Sequence, residues 1–227
     1  MKIGILQTGH PPTELAPTHG DYPSMFERLL GGRGFTFQTW SVVDGEFPAG
    51  PQDADGWLIT GSRHGVYEDH PWIAPLEALV RDIIAAGKPL VGICFGHQVI
   101  AQALGGQVEK FDQGWCLGPQ VYHFPDGDKR LLAYHQDQVI TPPEGAEVVA
   151  SSPGCRYAAL LYPGKAYTVQ PHPEFSPAYL QGLIDTRGRG VLDDTLLDAA
   201  EAALAVPPDN PEVAEQIARF LTERRIA

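Results

Sequence analysis

The chain has 227 residues, 43% of them hydrophobic and only 19% charged, enough to bury a full core within the size range of one α/β domain. A net charge of −12 with no local cluster of Lys and Arg repels phosphate backbones and excludes a nucleic-acid binder. Three cysteines, Cys94, Cys116 and Cys155, without CxxC spacing argue against a disulfide framework or a cysteine zinc site and fit a reducing cytoplasm.

The first residues, MKIGILQTG, alternate small and apolar side chains without a basic leader, and read as a buried strand over 2–9 rather than a targeting signal. Asp21 to Leu30 opens on a capping residue and a proline and stops at Gly31-Gly32, the punctuation of a helix. Strands are expected at FTFQTWSVV (35–43) and GWLITGS (56–62). A second helix runs from Pro71 to Ala86 and stops at Gly87, with Ile73, Leu76, Leu79, Val80, Ile83 and Ile84 on one face. PLVGICF (89–95) is a further strand, and residues 96–104 the helix after it. This alternation predicts a parallel sheet covered by helices.

From 106 to 170 the pattern changes to closely spaced strands, GQVEKF, PQVYHF, RLLAYHQDQVI, AEVVASS and YAALLYPGKAYTVQ, divided by Pro/Gly turns. An antiparallel excursion is expected there. The tail returns to helix, with Ser176-Pro177 and Asn210-Pro211 as start signals and Val213, Ile217, Phe220 and Leu221 as an apolar stripe. No stretch approaches the roughly 18 apolar residues of a spanning helix, and no basic amphipathic run suggests a membrane surface. With no repeat or linker, one domain over 1–227 is expected, soluble and cytoplasmic.

The chemistry gathers at two motifs. In Gly92-Ile93-Cys94-Phe95-Gly96 an apolar strand runs straight into a helix, so the thiol sits at a strained elbow. Such a turn crowds the positions two before and two after its centre, which is where the glycines stand. The helix start favours a negative sulfur, and the Phe95 amide points toward a developing oxyanion. Cys116 and Cys155 lack flanking glycines and a following helix and read as incidental. In Gln170-Pro171-His172-Pro173-Glu174, prolines hold a His and a carboxylate on one face of an extended segment. That arrangement supplies a base and the group that orients it.

GICFGHQ at 92–98 and HPE at 172–174 together resemble the class I glutamine amidotransferases, the triad-type glutaminase modules of GMP synthase, carbamoyl-phosphate synthetase and anthranilate synthase. The resemblance extends to LITGS at 58–62 and YHQDQV at 134–139, and looks nearest to free-standing, GMP-synthase-like members, a group that includes γ-glutamyl peptidases. It implies a flavodoxin-like three-layer α/β/α fold, with a mostly parallel central sheet and a small antiparallel extension near 106–155. It also implies cleavage of a γ-glutamyl amide through a thioester, with Cys94 as nucleophile, His172 as base and Glu174 as its orienter. The oxyanion hole then falls to Phe95, Gly61 and Ser62, and substrate binding to Gln98, Tyr134, Gln136 and Asp137. Many relatives carry Ser or Gly where Gln136 stands, so the pocket differs in size or takes another γ-glutamyl compound.

His97 and His135 read as packing histidines, and His10, His19, His64, His70 and His123 show no metal-ligand spacing, so neither metal nor other cofactor is expected. Neither a GxxxxGK[ST] loop nor an SGGxDS-like loop is present, so ATP-dependent amination needs a separate synthase chain as partner. The alternatives are a free-standing hydrolase of γ-glutamyl compounds and a binding module that keeps the fold without the chemistry.

Overall fold

The computed structural model describes residues 1–227. In chain order the elements are β1 (Lys2–Gln7), α1 (Ala16–His19), α2 (Tyr22–Leu29), β2 (Thr36–Ser41), β3 (Gly56–Ile59), α3 (Ile73–Ala85), β4 (Leu90–Ile93) and α4 (Phe95–Ala103). Seven strands follow: β5 (Gln107–Lys110), β6 (Cys116–Phe124), β7 (Gly127–His135), β8 (Asp137–Thr141), β9 (Glu147–Ser152), β10 (Cys155–Tyr162) and β11 (Ala166–Val169). The chain ends in α5 (Pro177–Leu183), α6 (Asp194–Ala203) and α7 (Asn210–Glu223).

Nine strands form one sheet in the order β2-β1-β3-β4-β11-β10-β9-β6-β7. From β2 to β11 the pairings are parallel, with Ile59 opposite Gly92 and Ile93 opposite Val169. Parallel strands need both faces covered, and here successive residues go to opposite sides. Trp57, Ile59 and Leu90 pack beneath α3 and α4, while Leu58, Val91 and Ile93 pack beneath α2 and α7. The result is a three-layer α/β/α arrangement.

The antiparallel stretch is larger than expected and joins the main sheet. β10, β9, β6 and β7 continue it beyond β11, and only β5 and β8 pair apart as a small second sheet. The excursion therefore reaches Tyr162, within the 106–170 run of closely spaced strands but beyond the extension near 106–155. The cause is β11, which pairs parallel to β4 on one side and antiparallel to β10 on the other.

Local signals operate largely where the sequence places them. The Asp21 carboxylate accepts from the Ser24 amide at 3.0 Å, and the Ser176 hydroxyl accepts from Tyr179 at 3.1 Å. Asn210 departs from its expected capping role: its amide donates to the Phe175 carbonyl at 2.8 Å, and Asp209 takes the position before the helix. No helix is long and apolar enough to cross a membrane.

Candidate active site

Strand order decides what meets at the carboxyl edge of the sheet. β4 lies between β3 and β11, so the residues leaving these three strands, Gly61 with Ser62, Cys94, and Gln170 to Glu174, emerge side by side. Open parallel sheets bind ligands at this edge.

Cys94 stands between β4 and α4 at φ 52° and ψ −103°, one of two non-glycine residues with positive φ in the chain. Such strain persists only where the surroundings over-determine it. Its amide donates to the Val169 carbonyl at 2.9 Å, and the Gly96 amide to the Thr60 carbonyl at 3.2 Å, which pins the elbow to both neighbouring strands. A Cβ on Gly92 would meet the Gly96 carbonyl and, at 2.6 Å, Ile100 Cδ1; one on Gly96 would meet the Ile59 carbonyl. Only glycine fits at either position. Phe95, as the first residue of α4, has an N–H with no carbonyl one turn earlier to receive it.

His172 is pinned by its amide to the Leu132 carbonyl at 2.8 Å and lies parallel to the Phe175 ring, centroids 4.0 Å apart. The segment is not extended as its prolines suggest. It turns at Pro173-Glu174, and this turn brings Glu174 Oε1 to 2.7 Å from His172 Nδ1. Both groups are buried, with side-chain exposures of 6% and 1%. Burial alone lowers the imidazole pKa, but the Glu174 carboxylate, and after it the neighbouring Cys94 thiol, push it up to about 10. Since Nδ1 is taken by Glu174, Nε2 is the nitrogen left to face Cys94.

Gly61 packs against the same imidazole: a Cβ there would lie 2.9 Å from His172 Cε1 and 3.7 Å from Cys94 Cβ. Its carbonyl is held from behind by the Thr8 and Thr60 hydroxyls at 3.0 and 3.1 Å, while the Gly61 and Ser62 amides donate to no group of the protein. Two unspent donors thus line the same cavity as Cys94.

A cavity of about 600 Å³ opens above Cys94. Gln98, Tyr134, Gln136 and Asp137 all line it, but three of their polar ends are engaged. Gln98 donates to the Asp137 and Gln170 oxygens, Gln136 to the Phe111 carbonyl, and Asp137 accepts from Tyr67 at 3.0 Å. Burial raises the Asp137 pKa, and burial together with Asp137 pushes the Tyr67 phenol up to about 12. Tyr134 meets Trp115 edge to face. Sequence reasoning missed Tyr67, Trp115 and the half-buried Arg187, which also line the cavity and whose isolated positions carry no local signature. Arg187 enters no ion pair or hydrogen bond and is the cavity's half-buried free cation.

Cys116 and Cys155 are buried away from this cavity, where burial pushes both thiols up, Cys116 to about 11. Burial likewise lowers His97 and His135 to about 3, and their Nδ1 atoms bond Thr168 and the Asp137 carbonyl. His64 and His70, without ligand spacing in the sequence, fold together around Glu68, and His64 and Glu68 line the cavity.

The family model "Glutamine amidotransferase class-I" matches residues 50–182, which include the elbow and the His-Pro-Glu turn. The chain is 34% identical over 204 residues to γ-glutamyl peptidase 4 of Arabidopsis thaliana, covering 82% of this chain and 80% of that one. It is 30% identical over 218 residues to the glutamine-hydrolysing GMP synthase of Thermus thermophilus, covering 90% of this chain but 40% of that protein. A glutamine amidotransferase structure from Methylobacillus flagellatus superposes with a TM-score of 0.78 at 20% identity, over 99% of this chain and 94% of that one, a likeness of fold. The chain belongs to the class-I glutamine amidotransferase family and is an enzyme of it.

Proposed function

We propose that this enzyme hydrolyses a γ-glutamyl amide through Cys94, His172 and Glu174, acting on a compound larger than glutamine. The observation that carries the chemistry is the strained Cys94 elbow facing an imidazole whose far nitrogen is held by a buried carboxylate. The sulfur attacks the γ-carbonyl, and the Phe95, Gly61 and Ser62 amides take the charge on the tetrahedral oxygen. His172 then gives its proton to the leaving nitrogen, so an amine or ammonia departs and a γ-glutamyl thioester remains. Water, deprotonated by His172, attacks the thioester, releases glutamate and restores the thiol. Throughout, Glu174 keeps the ring oriented and stabilises its charge.

Cavity size and charge support the larger substrate. A volume of about 600 Å³ lies in the range of pockets for drug-sized ligands, and Arg187 offers an unpaired guanidinium to a carboxylate beyond the scissile bond. A γ-glutamyl peptide carries such a group. The test is to supply purified protein with glutamine and with γ-glutamyl dipeptides, without ATP or a partner, and to measure released ammonia and amino acid. Release from the dipeptides at the higher kcat/KM is expected, and turnover of neither compound would overturn the reading. The second reading, ammonia supply to a separate synthase, draws on the match to 40% of a GMP synthase. Glutamine turnover that appears only on adding such a partner would favour it.

A further inference from the structure

The loop from β3 to α3 doubles back on itself. The Glu68 amide donates to the Gly65 carbonyl at 3.1 Å, His70 to Glu68 at 3.0 Å and Ile73 to His70 at 3.1 Å. These turns bring three side chains to one point. His70 Nε2 lies 2.7 Å, and His64 Nδ1 3.4 Å, from the same oxygen, Glu68 Oε2. One ligand atom from each residue lies within 4.8 Å of the other two. Around a tetrahedral ion with ligands at about 2.0–2.2 Å, neighbouring ligand atoms stand roughly 3.3–3.6 Å apart. His64 Nδ1 already stands at that spacing from Glu68 Oε2, while His70 Nε2 lies closer to it, at hydrogen-bond distance.

Its surroundings hold the rings in place. The two imidazoles meet edge to face with centroids 4.3 Å apart, and Trp72 stacks on His70 at 5.9 Å and 14° while meeting His64 at 5.8 Å. Trp72 is buried and also packs on Phe95, the residue after the thiol, at 5.4 Å. His64 and Glu68 line the cavity above Cys94, so an ion between them borders the substrate's space.

We propose that His64, Glu68 and His70 bind one divalent transition-metal ion of the zinc class, with a coordination position left open toward the cavity. Two imidazoles and one carboxylate suit zinc, cobalt, nickel or copper, whereas magnesium and calcium require mostly oxygen ligands. Three protein ligands with an open fourth position form a set that can accept a further oxygen donor. The ion also ties together the loop that begins at the Gly61 and Ser62 donors.

The competing ligand in this chain is the Cys94 sulfur, and the test separates the two. Zinc stoichiometry and affinity are measured by calorimetry on the full chain and on Cys94→Ser, His64→Gln, His70→Gln and Glu68→Gln, with circular dichroism as the check on folding. Cys94→Ser should keep one zinc per chain, whereas each of the other three should weaken binding by more than about tenfold. Cobalt should give visible bands without the near-ultraviolet charge transfer of a thiolate ligand, and zinc should raise the Tm of Cys94→Ser but not of a folded His70→Gln. Binding that survives in His64→Gln and His70→Gln yet is lost in Cys94→Ser, or no zinc uptake by the native chain at micromolar metal, would overturn the site. Because occupancy is read on Cys94→Ser, the result does not depend on the proposed hydrolysis.

Discussion

The two halves of the sheet divide the labour. The parallel half sends Gly61, Cys94 and His172 out from adjacent strands β3, β4 and β11, whereas the antiparallel half gives the cavity Tyr134 from the end of β7 and Asp137 from the start of β8's own small sheet. In the first half, position is enforced by steric necessity: a glycine that cannot carry a Cβ, a thiol held at positive φ, amides bonded across strand ends. In the second, side chains reach the cavity from strand ends and loops with fewer constraints. Under the proposed function, reaction type belongs to the parallel half, and the choice of substrate to the excursion and to the helical turn Ile184–Gly188 after α5.

Breaking the parallel half should cost most. Cys94→Ala is expected to reduce kcat by on the order of 10⁶, as for removal of a nucleophile that acts as a unit with its base. Steady-state assays with the preferred γ-glutamyl compound measure this, and an active Cys94→Ala would remove the nucleophile assignment. Glu174→Gln, which leaves the ring without a charged partner, should lower kcat by about 10⁴.

Glu174→Gln should also change the pH dependence of stability. His172 has a folded pKa raised from 6.5 to about 10, so its charge stabilises the folded state fully below 6.5, and that contribution is lost as pH rises through about 10. Removing the carboxylate lowers the folded value. Thermal melts from neutral to alkaline pH should therefore show the native Tm falling late and the variant losing this contribution at lower pH. Coincident profiles would show that Glu174 does not hold the charge on the ring.

Gly61→Ala is the next smaller break. Its Cβ would press on His172 Cε1, so the loop must yield, and kcat should fall by about 10² if one oxyanion donor is lost. Alkylation of Cys94 should persist, which separates loss of the donor from unfolding. In the other half, Arg187→Ala should raise KM for an anionic γ-glutamyl peptide about tenfold with kcat less altered, the scale of one charge-assisted hydrogen bond. Glutamine itself should feel it less. Cys116→Ser should leave turnover nearly intact, because that thiol does not reach the cavity.

Sequence alone placed the chain in its family, because the signals that carry the likeness are local. Gly92 and Gly96 about Cys94 report a turn that tolerates no side chain, and His172 with Glu174 need only one turn of chain to meet. The helix starts at Asp21 and Ser176 were equally readable, since each cap joins residues three apart. Tertiary structure decided what distant segments share. Strand order set β4 between β3 and β11, which brings Gly61 to His172 across more than a hundred residues. It turned Asn210 from a cap into a clasp on Phe175, and it left Arg187 unpaired at the cavity. His64, Glu68 and His70 are near in sequence yet matched no ligand spacing, because an irregular turn rather than a helix or strand sets their side-chain directions. A regular element has a period that can be read from residue types, whereas such a turn and a long-range strand pairing have none.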